Sequence, residues 1–146
     1  MGKVIKIGIS KTKGSKIYSL DKIDVLKGKG LLNDRKLNIN NKKDKQITLI
    51  EIENINSYNN RFGTTIEPLN FRRNIVTKDI NLNNLVGKEF FVGSIRLKGH
   101  DLCRPCKYLQ DKLNINNFIK EFLLKGGIRC EIMSSGTIKL EDKIDQ

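Results

Sequence analysis

Short alternating runs of β-branched residues recur along this chain. Lys3 to Ile9, Gln46 to Ile50, Phe91 to Leu97 and Ile128 to Met133 carry the pattern, and Thr137 to Leu140 closes it. Successive side chains of a strand point to opposite faces, so the first run predicts Ile5, Ile7 and Ile9 on one face. Helical periodicity is scarcer. Glu51 to Asn59 spaces Ile52, Ile55 and Tyr58 three apart, and Asn116 to Lys125 gathers Phe118, Ile119, Phe122 and Leu123 into one stripe ended by Gly126 and Gly127. Irregular spacing of the strands argues against a regular strand–helix alternation, and many short strands expose edges unless the sheet closes on itself. The expected fold is therefore mainly β, a closed or nearly closed barrel with a few short helices.

With 146 residues, 38% of them hydrophobic, and only Pro68 and Pro105 as prolines, the chain fits one domain over residues 1–146. No run approaches the roughly 18 apolar residues of a membrane span, and Met1 to Ser10 alternates Lys with Ile and Val instead of building a signal-peptide core, so a cytoplasmic protein is expected. The net charge of +12 raises the question of nucleic acid. Abundant Lys, Asn and Ile match the bias of an A/T-rich genome, and aromatic residues for base stacking are few. Phe90, Phe91, Phe118 and Phe122 read as core. A positive field that attracts a small anion is the better reading, with a nucleic-acid-binding module as a weaker alternative.

An odd number of cysteines without a secretory signal argues against a disulfide framework. Cys130 alternates with Ile128 and Ile132 and reads as a small hydrophobe. Cys103 and Cys106 are different, because they flank Arg104-Pro105 and follow His100. Structural zinc wants four ligands, and this segment offers at most three. A thioredoxin-like pair needs a strand–helix context in an α/β sheet, which the pattern lacks. That leaves one nucleophilic or metal-ligating thiolate, or two ordinary loop thiols. For a thiolate at Cys106, Arg104 and Lys107 would favour the charged form, Pro105 would stiffen the loop, and the soft sulfur would suit a metal such as molybdenum. His100 alone reads as a hydrogen-bonding side chain.

The run from Phe71 to Thr77 places Arg72, Arg73 and Asn74 at the entry of a strand. A guanidinium is a bidentate reader of phosphate. Neighbouring arginines on a strand face opposite sides, so at most one of the two is expected to point into a given pocket. Gly28 to Arg35 adds a glycine-containing loop with an Asp34-Arg35 pair.

Taken in order, the segments Gly30 to Arg35, Gln46 to Ile50, Phe71 to Thr77, Leu85 to Gly93, Cys103 to Cys106 and Gly136 to Asp142 resemble the MOSC family, the molybdenum cofactor sulfurase C-terminal domains, in a short free-standing, bacterial-type form. The resemblance implies a barrel like the one inserted in pyruvate kinase. It implies further that Cys106 is the metal ligand and working thiol, and that Arg35, Arg72 and Asn74 surround the pterin and its phosphate, with Lys11 and Lys13 in a loop bordering the cofactor. The chain departs from the family pattern at Lys36, where many short members have His, and at Glu141, where they have Gly. The pyridoxal phosphate domain of the sulfurases does not fit in 146 residues, so a complete cofactor sulfurase is not expected.

Two functions follow as expectations. The first is a module that binds molybdenum cofactor (molybdopterin), permanently or in transit, or carries sulfur as a persulfide on Cys106 received from a sulfur-donor protein. The second is a small molybdenum-dependent reductase of N-hydroxylated compounds served by an electron-transfer partner.

Overall fold

The computed structural model describes residues 1–146. Its strands are β1 (Gly2–Ser10), β2 (Ile17–Leu20), β3 (Lys22–Leu26), β4 (Gly30–Leu31), β5 (Ile47–Glu51), β6 (Ile75–Lys78), β7 (Glu89–Val92), β8 (Ile95–Leu102), β9 (Ile128–Ile132), β10 (Gly136–Lys139) and β11 (Lys143–Asp145). The wall runs β11-β7-β8-β9-β5-β6-β1 and closes where Gly2 of β1 faces Ile144 of β11. The expected barrel is therefore present, with seven strands closed and β2 attached to β1 as an eighth. Closure leaves none of the seven as a free edge. A separate small sheet, β10-β3-β4, lies beside it.

One apolar cluster draws residues from all seven barrel strands, among them Val4, Ile7, Leu49, Ile75, Phe90, Leu97, Ile128 and Ile144. Burying each such side chain contributes about 2 kcal/mol. Cys130 is fully buried in this cluster and packs as the small hydrophobe the sequence suggests. A second cluster joins the barrel to α1 (Ile52–Phe62), α2 (Lys107–Leu113) and α3 (Phe118–Glu121) through Ile55, Tyr58, Phe71, Leu109, Phe118 and Phe122. Helix α1 links β5 to β6 as a crossover, which is why this pair alone in the barrel is parallel. No helix is long and apolar enough to cross a membrane.

Several expectations shift. The register of β1 against β6 slips between Val4 and Lys6, so Val4, Ile7 and Ile9 enter the barrel cluster while Ile5 packs against the helical one. A bulge of this kind changes which face the following residues take. The run Phe91 to Leu97 is a hairpin, β7 and β8 turning at Gly93 with φ of 59°, and Phe91 points outward, 45% exposed. The Thr137 to Leu140 strand is not the last, since β11 follows and closes the barrel. The helix expected from Asn116 to Lys125 is regular only over Phe118–Glu121, and Leu123 is exposed.

Candidate functional site

Where β1 ends and β6 begins, Gly8, Ile9, Ser10, Asp34, Arg35, Lys36, Thr48, Arg72, Arg73 and Asn74 line a polar cleft. Its floor is a hydrogen-bonded clasp between three strands. The Asn74 side-chain oxygen accepts from the Thr48 backbone N–H and hydroxyl, both at 3.1 Å, and its amide donates to the Gly8 carbonyl at 3.2 Å. The Asn74 N–H donates to the Thr48 hydroxyl at 3.0 Å, and Gly8 N–H donates to the Asn74 carbonyl at 2.7 Å. Asn74 is thus mostly occupied in holding β1, β5 and β6 together, with one amide hydrogen left for another partner.

The Asp34–Arg35 pair is docked on the end of β1. The Asp34 carboxylate accepts from Ser10 N–H at 3.0 Å and from Lys36 N–H at 3.2 Å, while Arg35 N–H donates to the Ser10 carbonyl at 2.8 Å. Both oxygens of a buried carboxylate are therefore bound to backbone, and the loop delivers Arg35 and Lys36 to the cleft.

Arg72 and Arg73 both reach it. They precede β6 instead of lying on it: Arg72 follows the 3-10 turn Pro68–Phe71 with φ of 63°, a left-handed conformation uncommon outside glycine. That bend removes the strand alternation that would have sent the two guanidiniums to opposite faces. Arg72 donates to the Ser15 carbonyl at 3.1 Å and to the Ser10 hydroxyl at 3.2 Å. Arg73 donates through Nε to the Gly126 carbonyl at 2.9 Å.

This last contact connects the cleft to the cysteine segment. Cys103 N–H donates to the Gly127 carbonyl at 2.7 Å, and a side chain at Gly126 would run into the Cys103 carbonyl. Cys103 is buried, and burial pushes its thiol up from the ordinary cysteine range, against the pull of Arg73, Arg129 and Lys36. Cys130 is pushed well up by burial. Cys106 is exposed, at the residue preceding α2, and does not line the cleft. Its neighbours Arg104 and Lys107 are each paired with a carboxylate, Asp101 and Asp111, both at 3.2 Å. Neither cation is reserved for the sulfur, contrary to the sequence argument. His100 pairs with Glu131 at 2.8 Å, the hydrogen-bonding role expected of it. No group of three or more His, Cys, Asp or Glu side chains is placed to hold a metal by itself.

The sequence profile of the MOSC domain matches residues 34–145. The chain belongs to the MOSC domain family. The matched region begins at Asp34 and takes in Arg35, Arg72, Asn74 and Cys106. No curated protein matches the sequence. Among solved structures, this MOSC chain is similar to the YuaD protein of Bacillus subtilis, with a TM-score of 0.81 at 22% identity over 99% of this chain and 94% of that one. It is similar also to YiiM from Geobacillus stearothermophilus, TM-score 0.78 at 15% identity over 99% and 74%, and to YiiM from Escherichia coli, TM-score 0.74 at 15% identity over 98% and 68%. At these identities the likeness shows the fold.

Of the site residues expected from sequence, the structure brings Arg35, Arg72 and Asn74 into one cleft and leaves Cys106 on the adjoining loop. Lys11 and Lys13 lie outside it, over the rings of Tyr18 and Tyr108. Sequence reasoning gave no role to Ser10, which anchors Asp34, Arg35 and Arg72 at once. A serine ending an apolar strand carries no signal of that.

Proposed function

We propose that this MOSC domain binds a molybdenum cofactor or carries sulfur, using the basic cleft for an anionic phosphate and Cys106 as the thiolate, persulfide or metal ligand. The observation that supports it is the convergence of Arg35, Lys36, Arg72 and Arg73 on one cleft whose walls are fixed by backbone hydrogen bonds. The Arg72 and Arg73 guanidiniums, held by hydrogen bonds, suit the bidentate recognition of a phosphate, and the cleft offers no acidic side chain other than Asp34, whose oxygens already accept from backbone. The donor set therefore fits the phosphate end of such a cofactor. When bound, the cofactor would supply a redox-active metal centre.

In this reading Arg35 and Arg72 orient the phosphate, and Asn74 keeps the cleft floor rigid with one amide hydrogen available to the ligand. Arg73 ties the cleft wall to the base of the cysteine loop through Gly126. Cys106, exposed, is reachable by a sulfur-donor protein or an electron-transfer partner, in a single-domain cytoplasmic protein.

The test is the content of protein isolated without air from molybdate-replete cells, beside titration of the isolated protein with a phosphorylated pterin. Stoichiometric molybdenum and pterin are expected for a resident cofactor, with the molybdenum lost in Cys106→Ser. Persulfide on Cys106 without metal marks the sulfur carrier, and turnover of N-hydroxylated bases marks the reductase. Absence of metal, persulfide and pterin affinity together contradicts the proposal.

A further inference from the structure

Two basic side chains of the cleft, Arg35 and Lys36, make no ion pair or hydrogen bond, and of these only Lys36 carries an amine. Arg72 is bonded to Ser10 and Ser15, and Arg73 to Gly126 and Phe71. Elsewhere Lys3, Lys6 and Lys107 are paired with carboxylates, and Lys112 donates to the Gly14 carbonyl. The Lys36 amine has neither an ion pair nor a hydrogen bond, and both oxygens of its neighbour Asp34 already accept from backbone N–H groups. It shares the cleft wall with Arg35, Arg72 and Arg73, so the charges facing it are mostly of its own sign.

From this placement we propose that Lys36 is a working nucleophile, an amine that condenses reversibly with small phosphorylated aldehydes or ketones whose phosphate is held by the arginines of the cleft. Two features recommend it. Lysine adds to a carbonyl only as the neutral amine, and a lysine without a counter-ion among guanidiniums gives up its proton more readily than a paired one. The amine is held below the usual lysine range, first by desolvation, then by repulsion from Arg35 and Arg73, with Cys103 and Asp34 pulling the other way. Much of the Lys36 side chain remains in contact with water, so the desolvation is incomplete and the neighbouring guanidinium charges act alongside it.

The same arginines that repel the ammonium attract a phosphate, so a ligand carrying both groups is placed with its carbonyl near the amine. The Lys36 Nζ lone pair bonds to the carbonyl carbon, and the resulting carbinolamine loses its oxygen with both amine protons as water, leaving a C=N bond. No oxidant or metal is required. The step is independent of molybdenum and of Cys106.

The experiment treats the full-length protein with glyceraldehyde 3-phosphate and sodium cyanoborohydride and maps the trapped lysines by mass spectrometry. Lys36 is expected to be modified first, at least about tenfold faster than with unphosphorylated glyceraldehyde, and inorganic phosphate should protect it. Arg35→Gln removes a repelling charge, so the pH at which labelling is half-maximal should rise and labelling at neutral pH should slow. Lys36→Arg should lose the fast reaction with unchanged thermal unfolding, and Cys106→Ser should keep it. Labelling spread evenly over Lys11, Lys16 and Lys112, equal rates for the two aldehydes, or no protection by phosphate would overturn the proposal. Loss of pterin binding with Lys36 labelling intact would contradict only the cofactor reading.

Discussion

The cleft and the cysteine loop lie side by side but are built differently. Every element of the cleft floor is cross-tied: Asn74 to Thr48 and Gly8, and Asp34 and Arg35 to Ser10. In the loop, Cys103 is anchored at Gly127 and buried, whereas Cys106, three residues on, is exposed with its side chain in no hydrogen bond. The difference separates two demands. Holding a phosphate needs donors fixed in position, whereas handing over sulfur or metal needs an accessible atom.

The sharpest way to break the contrast is at Asn74. Asn74→Ala removes the clasp and leaves the buried Thr48 backbone N–H and the Gly8 carbonyl without their side-chain partner, so a loss of about 3 kcal/mol is expected in denaturant unfolding. A loss within the range of a surface substitution would show that the floor is not rigid. Next comes Arg72→Lys, which keeps the charge but not the fork. Affinity for a phosphorylated pterin should fall about tenfold, the scale of one charge-assisted hydrogen bond, with little change in melting temperature. Unaltered affinity removes Arg72 from the phosphate site.

Thiol chemistry gives a subtler separation. Alkylation at neutral pH followed by mass spectrometry should label Cys106 first, because Cys103 and Cys130 are buried and their thiols are pushed up, which leaves less thiolate at any given pH. Cys103 reacting first would reverse the two roles. The smallest effect belongs to a group outside both the cleft and the cysteine loop. Burial raises the Glu51 carboxyl, with Glu53 adding to it and the Leu82 N–H opposing, so the folded state penalises its charge. Stability from this group is present in acid and lost as pH rises through the raised value. Glu51→Gln should therefore raise the melting temperature slightly at neutral pH, and the gain should vanish in acid.

Much of this contrast can be read in the sequence, and its gaps have physical causes. Alternation located β1, β5 and β9, and closure followed from their number. Ile5 was misplaced because a bulge leaves no mark in a pattern of apolar residues. The fused Phe91 to Leu97 run concealed a turn, since Gly93-Ser94 between apolar residues reads as part of a strand. The family pattern singles out Arg35, Arg72 and Asn74, which share one cleft, but gives no sign that Arg73 joins them, because the left-handed bend at Arg72 is a tertiary outcome. Likewise Arg104 and Lys107 looked like activators of Cys106 by adjacency, while their carboxylate partners Asp101 and Asp111 lie within four residues and compete for the same charge.

The central claim joins the two regions: the fixed cleft holds the phosphate of a pterin cofactor, and the exposed thiol works beside it. It is tested most directly by pterin and molybdenum analysis of anaerobically isolated wild-type protein, Cys106→Ser and Arg35→Gln. Cys106→Ser should lose molybdenum, melt within about 0.5 kcal/mol of the parent as expected of a surface substitution, and still bind phosphorylated pterin. Arg35→Gln should weaken pterin binding itself. If Cys106→Ser retains full molybdenum, or Arg35→Gln binds pterin as tightly as the parent, the account is contradicted.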